Sequence, residues 1–171
     1  MNEEKLMRNG IIFDAKPDAV PYNYRISYKV SVICLIIAAS CGRKGCSLIK
    51  MHMISYALSN RNEQMKLKEF CESSFNECII IRFDPVVNRA LLYATADGLI
   101  VQQVNGLFKL TSKGKKLVDE IRKDKTILYN EVEFLNSLST KLTEDKIESL
   151  MENWRRLYVD DKKVKSSNKN T

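Results

Sequence analysis

Few residues of this chain have the types and spacing that catalysis needs. His52 is the single histidine, and it stands between Met51 and Met53 in a stretch of helical pattern. With no second histidine, a nucleophile activated by His52 would need a partner, and no motif identifies one. The residue reads as an ordinary polar or core-edge histidine. The sequence contains no GxxxxGKS or GxxxxGKT phosphate loop, no GxGxxG and no HExxH pair. The five cysteines, Cys34, Cys41, Cys46, Cys71 and Cys78, form no CxxC pair. Cys41, Cys46, Cys71 and Cys78, with His52 as a spare ligand, make a conceivable zinc set. Their spacing does not match ordinary zinc knuckles, and burial as small apolar residues is the simpler reading. The expectation is a protein without catalysis, metal or cofactor.

Binding chemistry is better represented. The net charge is +7, and it is uneven: residues 109–125 hold seven basic against three acidic side chains, and residues 126–154 two against six. Lys109, Lys113, Lys115 and Lys116 cluster in the basic segment. Such a patch suits a phosphate backbone or an acidic protein surface, and equally a solvated helix start. Base edges are read by Arg, Lys, Asn and Gln. The stretch PVVNRALLYATAD offers only Asn88 and Arg89, side by side near its start. Its apolar content exceeds what one packed face of a helix requires. Its outer side is therefore expected against protein, with Val87 and Leu91 as interface candidates. Near the C-terminus Leu150, Trp154, Leu157 and Tyr158 are partner-anchor candidates, because Trp and Tyr are favoured at interface centres; packing on the domain explains them as well.

The elements that must position these residues follow from local signals. After an irregular arm containing Pro17, Pro21, Tyr22 and Tyr24, RISYKVSVICLIIAAS from Arg25 is apolar on nearly all sides and predicts a central helix. Gly42 and Gly45 break it. Ser47 caps a second helix with Leu48, Met51, Ile54, Ala57 and Leu58 on one face, closed by Asn60-Arg61-Asn62. Residues 63–74 suggest a weaker amphipathic helix using Met65, Leu67, Phe70 and Cys71. CIIIRF, residues 78–83, reads as a strand. Asp84 and Pro85 open the helix that carries Asn88 and Arg89, and Gly98 ends it. LIVQQV and LFKL are strands joined through Asn105-Gly106, a strong hairpin signal. Thr111 caps the helix SKGKKLVDEI. Beyond it, Ile121, Leu128, Leu135 and Leu142 stand seven apart, one stripe of a coiled-coil or helix-packing seam. Thr143 opens a last helix whose apolar face holds Ile147, Leu150, Met151, Trp154 and Leu157.

Helix, Gly, strand, Asn-Gly, strand, Thr, helix is the second half of a winged helix. The fold expected is mainly α with a small β wing: a winged helix-turn-helix with a helical C-terminal extension. Residues 1–24 would be an arm, 25–122 the winged-helix domain, 123–159 helices for packing or partner binding, and 160–171 a disordered basic tail. MNEEKLMRNG is polar and acidic where a signal peptide needs a basic start and an apolar run, so none is expected. Val30–Ala39 falls short of the roughly 20 apolar residues that span a bilayer. A cytoplasmic setting with free thiols, and no membrane partner, is expected.

Three stretches, YRISYKVSVICLIIAAS, SLIKMHMISYALSN and IIIRFDPVVNRALLYATADGLIVQQVNGLFKLTSKGKKLVDEI, together resemble the middle component of three-component ABC/SMC-like ATPase systems, which include Lamassu-type bacterial anti-phage and anti-plasmid defence. The likeness spans roughly residues 22–155 and is densest at IRFDPVVNRAL, ADGLI and NGLFKLTSKGKK. The last two blocks also occur in many winged-helix regulators. The resemblance implies a non-catalytic adaptor that docks an SMC-like ATPase and an effector subunit, often a nuclease. Nonspecific contacts to a double-stranded DNA backbone would be an addition. The alternative is a dimeric winged-helix transcription regulator, with the heptad stripe as dimer seam and Asn88 and Arg89 as readers.

Overall fold

The computed structural model describes residues 21–42, 44–72 and 81–167, with 157–167 as backbone alone. After a 3-10 turn at Tyr22–Tyr24 come helices α1 (Ile26–Ser40), α2 (Leu48–Ala57), α3 (Arg61–Glu72) and α4 (Pro85–Ala96). Strands β1 (Ile100–Gln102) and β2 (Phe108–Leu110) follow, then α5 (Ser112–Lys123), α6 (Tyr129–Leu138) and α7 (Glu144–Ser167). The protein is mainly helical, with one small two-stranded antiparallel sheet among the described residues.

The all-round apolar character of α1 has its expected result. Val32 through Ile37 are all buried, which a helix achieves only when covered on every side. It packs against α2, α4, α5, α6 and β2. Ser47 caps α2 by accepting from the Lys50 amide at 3.1 Å, and its own amide donates to Glu144 Oε1 at 3.1 Å. The carboxylate at the head of α7 thus satisfies a free donor at the head of α2, where negative charge is favoured. Burial in α2 runs continuously from Lys50 to Ser55, while Leu48, expected on its apolar face, is exposed. Asn60 caps α3 through the Glu63 amide at 3.0 Å. Leu67, Phe70 and Cys71 of α3 are buried and Met65 is exposed. The stretch expected as a strand at 78–83 is not one where described: residues 81–83 pair with no strand, and 78–80 lie outside the described residues. Arg82 instead lays its guanidinium 5.3 Å from the Tyr56 ring.

Helix α4 starts and stops where its residues dictate. Asp84 Oδ1 accepts from the Val86 amide at 2.8 Å, with Pro85 in the first turn. At its end Gly98 takes φ +68°, and Gly98 and Leu99 donate to the Thr95 and Ala94 carbonyls at 2.9 and 2.8 Å. That is the paired bonding of a Schellman end. The hairpin then pairs Ile100 with Leu110, Val101 with Lys109 and Gln102 with Phe108. Its loop is Val104-Asn105-Gly106: the Gly106 amide donates to Gln103 and the Gln103 amide to Leu107, with Gly106 alone of the loop at positive φ. Asn105-Gly106 therefore sits in a three-residue turn rather than a two-residue one. Cys46 pairs with Phe108 through two 2.9 Å backbone bonds, a one-residue third rung on the sheet. Thr111 caps α5 through the Gly114 amide at 3.1 Å and donates its hydroxyl to the Gly98 carbonyl at 2.6 Å.

Of the segment 123–159 set apart in the sequence reading, the described side chains contribute to the core. Phe134, Leu135, Leu138, Leu142, Ile147 and Leu150 belong to one buried cluster with α1. Helix α6 packs on α1 and α3, and α7 on α2. Tyr28 of α1 donates to Glu131 of α6 at 3.0 Å. Burial and that carboxylate together push the Tyr28 phenol far above its ordinary value. The heptad stripe is not a continuous seam. Ile121 lies in α5, Leu128 at φ +52° ahead of α6, Leu135 within α6, and Leu142 between α6 and α7. Asp124 gathers the Thr126 amide and hydroxyl at 2.9 and 2.6 Å, a turn that breaks the run after α5. Thr143 caps α7 through the Lys146 amide at 3.2 Å. The backbone of α7 then stays helical to Ser167, past Asp160, where the sequence suggested a disordered tail. Among the described residues no helix is long and apolar enough to cross a membrane.

Candidate functional site

Helix α4 has two distinct faces. Val87, Ala90, Leu91 and Ala94 are buried, at the i, i+3, i+4, i+7 spacing of a packed stripe. The two alanines let α4 sit close on α1, its principal neighbour. Val87 at 0% and Leu91 at 6% exposure are core residues, so neither is available to a partner as the sequence suggested. The opposite face carries Arg89, Leu92, Tyr93 and Ala96, all exposed. Leu92 keeps 72% of its surface in solvent and Tyr93 58%. The sequence reading missed this pair, although the small residues at 90 and 94 mark the buried side and so place 92 and 93 outward. In the hairpin, Val101 and Val104 are exposed as well.

The residues expected to touch DNA are separated in use. Asn88 accepts through Oδ1 a bond from His52 Nε2 at 3.0 Å. That assignment follows from the other ring nitrogen, because His52 Nδ1 accepts from the Asp84 amide at 3.2 Å and so must be unprotonated. Asp84 Oδ2 in turn lies 3.1 Å from Lys29 Nζ, which also donates to Ser55 Oγ at 3.0 Å. One polar network thus ties α1, α2 and the start of α4 together. Asn88 is anchored there through Oδ1, and both it and Arg89 are exposed on this helix. Lys113 donates to the Asp97 carbonyl at 2.7 Å, beneath the end of α4. Lys109 is half-buried on β2, and Lys115 and Lys116 are exposed on α5.

Of the C-terminal candidates, Leu150 is buried in the core, and Trp154 is half-buried against it. The side chains of Leu157 and Tyr158 lie outside the described residues. Among the described residues, no three or more His, Cys, Asp or Glu side chains converge to hold a metal ion. His52 is almost wholly buried, and the edge of its ring meets Phe83 with centroids 4.9 Å apart.

The network gives stability a pH dependence with a fixed sign. Burial lowers the His52 pKa, opposed by the bond to Asn88 and by Asp84, and reinforced by Lys29. A proton on Nδ1 would also destroy the acceptor that the Asp84 amide uses. The unfolded chain therefore binds this proton more readily than the folded one. The contribution is fully present above the unfolded histidine pKa of about 6.5, and is lost as pH falls from there through the lower folded value. We expect urea midpoints to fall between pH 7 and pH 5. In His52→Gln that fall should shrink, once the carboxylate contribution common to both proteins is subtracted. An identical slope in the two proteins would refute the assignment.

A scan with protein-family models finds no match to this chain, and searches among curated proteins and solved structures find none either.

Proposed function

We propose that the chain is a non-catalytic winged-helix adaptor that seats a partner protein on the outer face of α4. The observation that carries this reading is the exposure of Leu92 and Tyr93, 72% and 58%, side by side on that helix. Tyr93 is a side-chain type favoured at interface centres, and Leu92 adds exposed apolar surface beside it. In the winged-helix reading, α4 is the recognition helix, β1 and β2 are the wing, and the Cys46–Phe108 bridge is the short strand that precedes α2. The chain departs from a tight helix-turn-helix, because α3 is inserted between α2 and α4.

The resemblance of the sequence to the middle subunit of SMC-like ATPase systems supplies the partner class: an SMC-like ATPase together with an effector subunit, in bacterial defence. Arg89, Lys109, Lys115 and Lys116 could add contacts to a DNA backbone. Against the regulator reading, the stripe meant for a dimer seam is split over separate elements, with Ile121, Leu135 and Leu142 inside the core.

The test is co-purification of the full chain with the SMC-like ATPase of the same bacterial defence locus. We expect Leu92→Glu and Tyr93→Glu each to weaken that complex at least tenfold, since hot-spot truncations cost about 2 kcal/mol or more. Circular dichroism and melting temperature should stay near wild type, because both side chains are outside the core. Wild-type binding by both variants would sink the docking reading. So would a monodisperse protein that binds one palindromic DNA sequence and loses that preference in Arg89→Ala.

A further inference from the structure

The outer face of α4 has a charge as well as an apolar character. Between its cap Asp84 and the Asp97 that follows it, the helix carries a single charged side chain, Arg89. Pro85, Val86, Leu92 and Tyr93 stand three and four residues from it, so no carboxylate lies within reach along the helix. The two carboxylates that bracket α4 are already engaged. Asp84 Oδ2 lies 3.1 Å from Lys29 Nζ, and Asp97 Oδ1 lies 3.9 Å from Lys113 Nζ. Arg89 is exposed and, among the described residues, has neither an ion pair nor a hydrogen bond. Beside it Asn88 is exposed, and its Oδ1 already accepts from His52. What remains free on that amide is its NH2 donor group. Apolar side chains flank these donors. Leu92 and Tyr93 follow one turn later. Phe83, 58% exposed, precedes them, its ring centroid 4.9 Å from that of His52, the ring that bonds Asn88. Arginine among exposed leucine, tyrosine and phenylalanine has the make-up of an interface core, where aromatic residues and arginine are enriched.

On the docking reading above, we infer that the partner segment seated on α4 is acidic and apolar. It brings a carboxylate to Arg89 and Asn88, between apolar side chains that cover Phe83 at one end and Leu92 with Tyr93 at the other. Arginine grips a carboxylate through two parallel N–H bonds, and the pair strengthens as apolar neighbours exclude water from it. A phosphate backbone would satisfy Arg89 and leave three apolar side chains uncovered. A second copy of this face brings another arginine and no acid, so a two-fold contact between two such faces sets like charges together.

The experiment pans a phage-displayed library of random peptides, about 16 residues or four helical turns long, on the immobilised full-length chain. Synthetic copies of the enriched peptides are then titrated by fluorescence anisotropy. We expect Asp or Glu between apolar residues in the enriched sequences. Arg89→Ala should weaken their binding about tenfold, Arg89→Lys less, and Leu92→Glu about tenfold or more. Arg89→Glu should abolish it. Arg61→Glu, an equal change of net charge at the exposed start of α3, should leave it intact. Circular dichroism checks that each variant is folded. Peptides lost on Leu92→Glu, yet without acidic residues and unmoved by Arg89→Ala, would overturn this chemistry and leave the docking reading standing. Peptides that bind Leu92→Glu and Tyr93→Glu as well as wild type would overturn both, as would a selection that enriches nothing. Equal losses in Arg89→Glu and Arg61→Glu would reduce the preference to general attraction by a basic protein and overturn the proposal. Random-sequence duplex DNA that displaces the peptides, and itself loses affinity in Arg89→Ala, would assign the face to a phosphate backbone instead.

Discussion

Gly114→Ala is expected to lower the melting temperature by about 6–12 °C, the shift that about 3 kcal/mol produces in a chain of this size. A β-carbon at residue 114 would lie 2.1 Å from the Leu99 carbonyl oxygen and 2.9 Å from Leu110 Cδ2. The nearer neighbour is backbone, and it cannot swing aside. The Leu99 carbonyl accepts from the Thr111 amide at 3.0 Å, and the Leu99 amide completes the end of α4 at 2.8 Å to Ala94. Either α5 lifts off or the end of α4 shifts. Within a helix alanine ordinarily gains about 1 kcal/mol over glycine; here the close approach reverses the sign. Gly42→Ala is the control. Nothing lies within 4 Å of its would-be β-carbon, and its effect should stay within about 0.5 kcal/mol. Equal melting of Gly114→Ala and wild type would mean that α5 does not press on residue 99 in this way.

That close approach was not legible in the sequence, where SKGKKLVDEI shows a glycine inside a helical pattern and nothing more. What was legible is the chemistry that acts over a few residues. Ser47, Asp84, Thr111 and Thr143 all cap the helices they were expected to cap. Gly98 ends α4, and Asn105-Gly106 turns the hairpin. Each of these is a side-chain-to-backbone bond or a φ preference, fixed before any tertiary contact exists. The failures are long-range. Val87 and Leu91 look the same in sequence whether they face α1 or a partner, and α1 took them. The heptad spacing of Ile121, Leu128, Leu135 and Leu142 survives two chain breaks, because folding back on α1 buries the same residues that a straight seam would. His52 read as an isolated polar residue because its partners stand at 84 and 88, on another helix and its cap. Ile81 and Phe83 carry β-branched and aromatic side chains, yet among the described residues 81–83 join no sheet. Along α7, the absence of Gly and Pro after Thr143 lets a helix already nucleated on α2 continue into charged residues. The docking candidates Leu92 and Tyr93 emerge only once the buried face of α4 is known.

Asp84→Ala should destabilise the protein by about 3–5 kcal/mol, because it strands a buried cation. Lys29 is only 7% exposed, and Asp84 is its sole carboxylate partner among the described residues. Removing that carboxylate leaves the ammonium with the Ser55 hydroxyl, which neutralises nothing. The N-cap of α4 is lost as well, worth about 1 kcal/mol. The two effects separate in a double-mutant cycle. Lys29→Met alone removes the charge and leaves Asp84, itself partly open to water, free to go on capping Val86, so its cost should be small. In Lys29→Met/Asp84→Ala, only the capping loss should remain, and the double variant should be more stable than Asp84→Ala alone. Urea unfolding of the four proteins gives the coupling directly; additive losses would show that the pair does not interact. The position of the pair gives it a role that two apolar residues could not fill. Asp84 fixes the first turn of α4 to α1 through Lys29 and, through its amide, to α2 through His52, while Gly98, Leu99 and Gly114 fix the last turn. In the proposed docking reading, a helix backbone held at both ends would lose little freedom when a partner closes on its outer face at Leu92 and Tyr93. Asp84→Ala should therefore weaken partner binding without touching the interface, and Lys29→Met/Asp84→Ala should recover part of that affinity along with the stability.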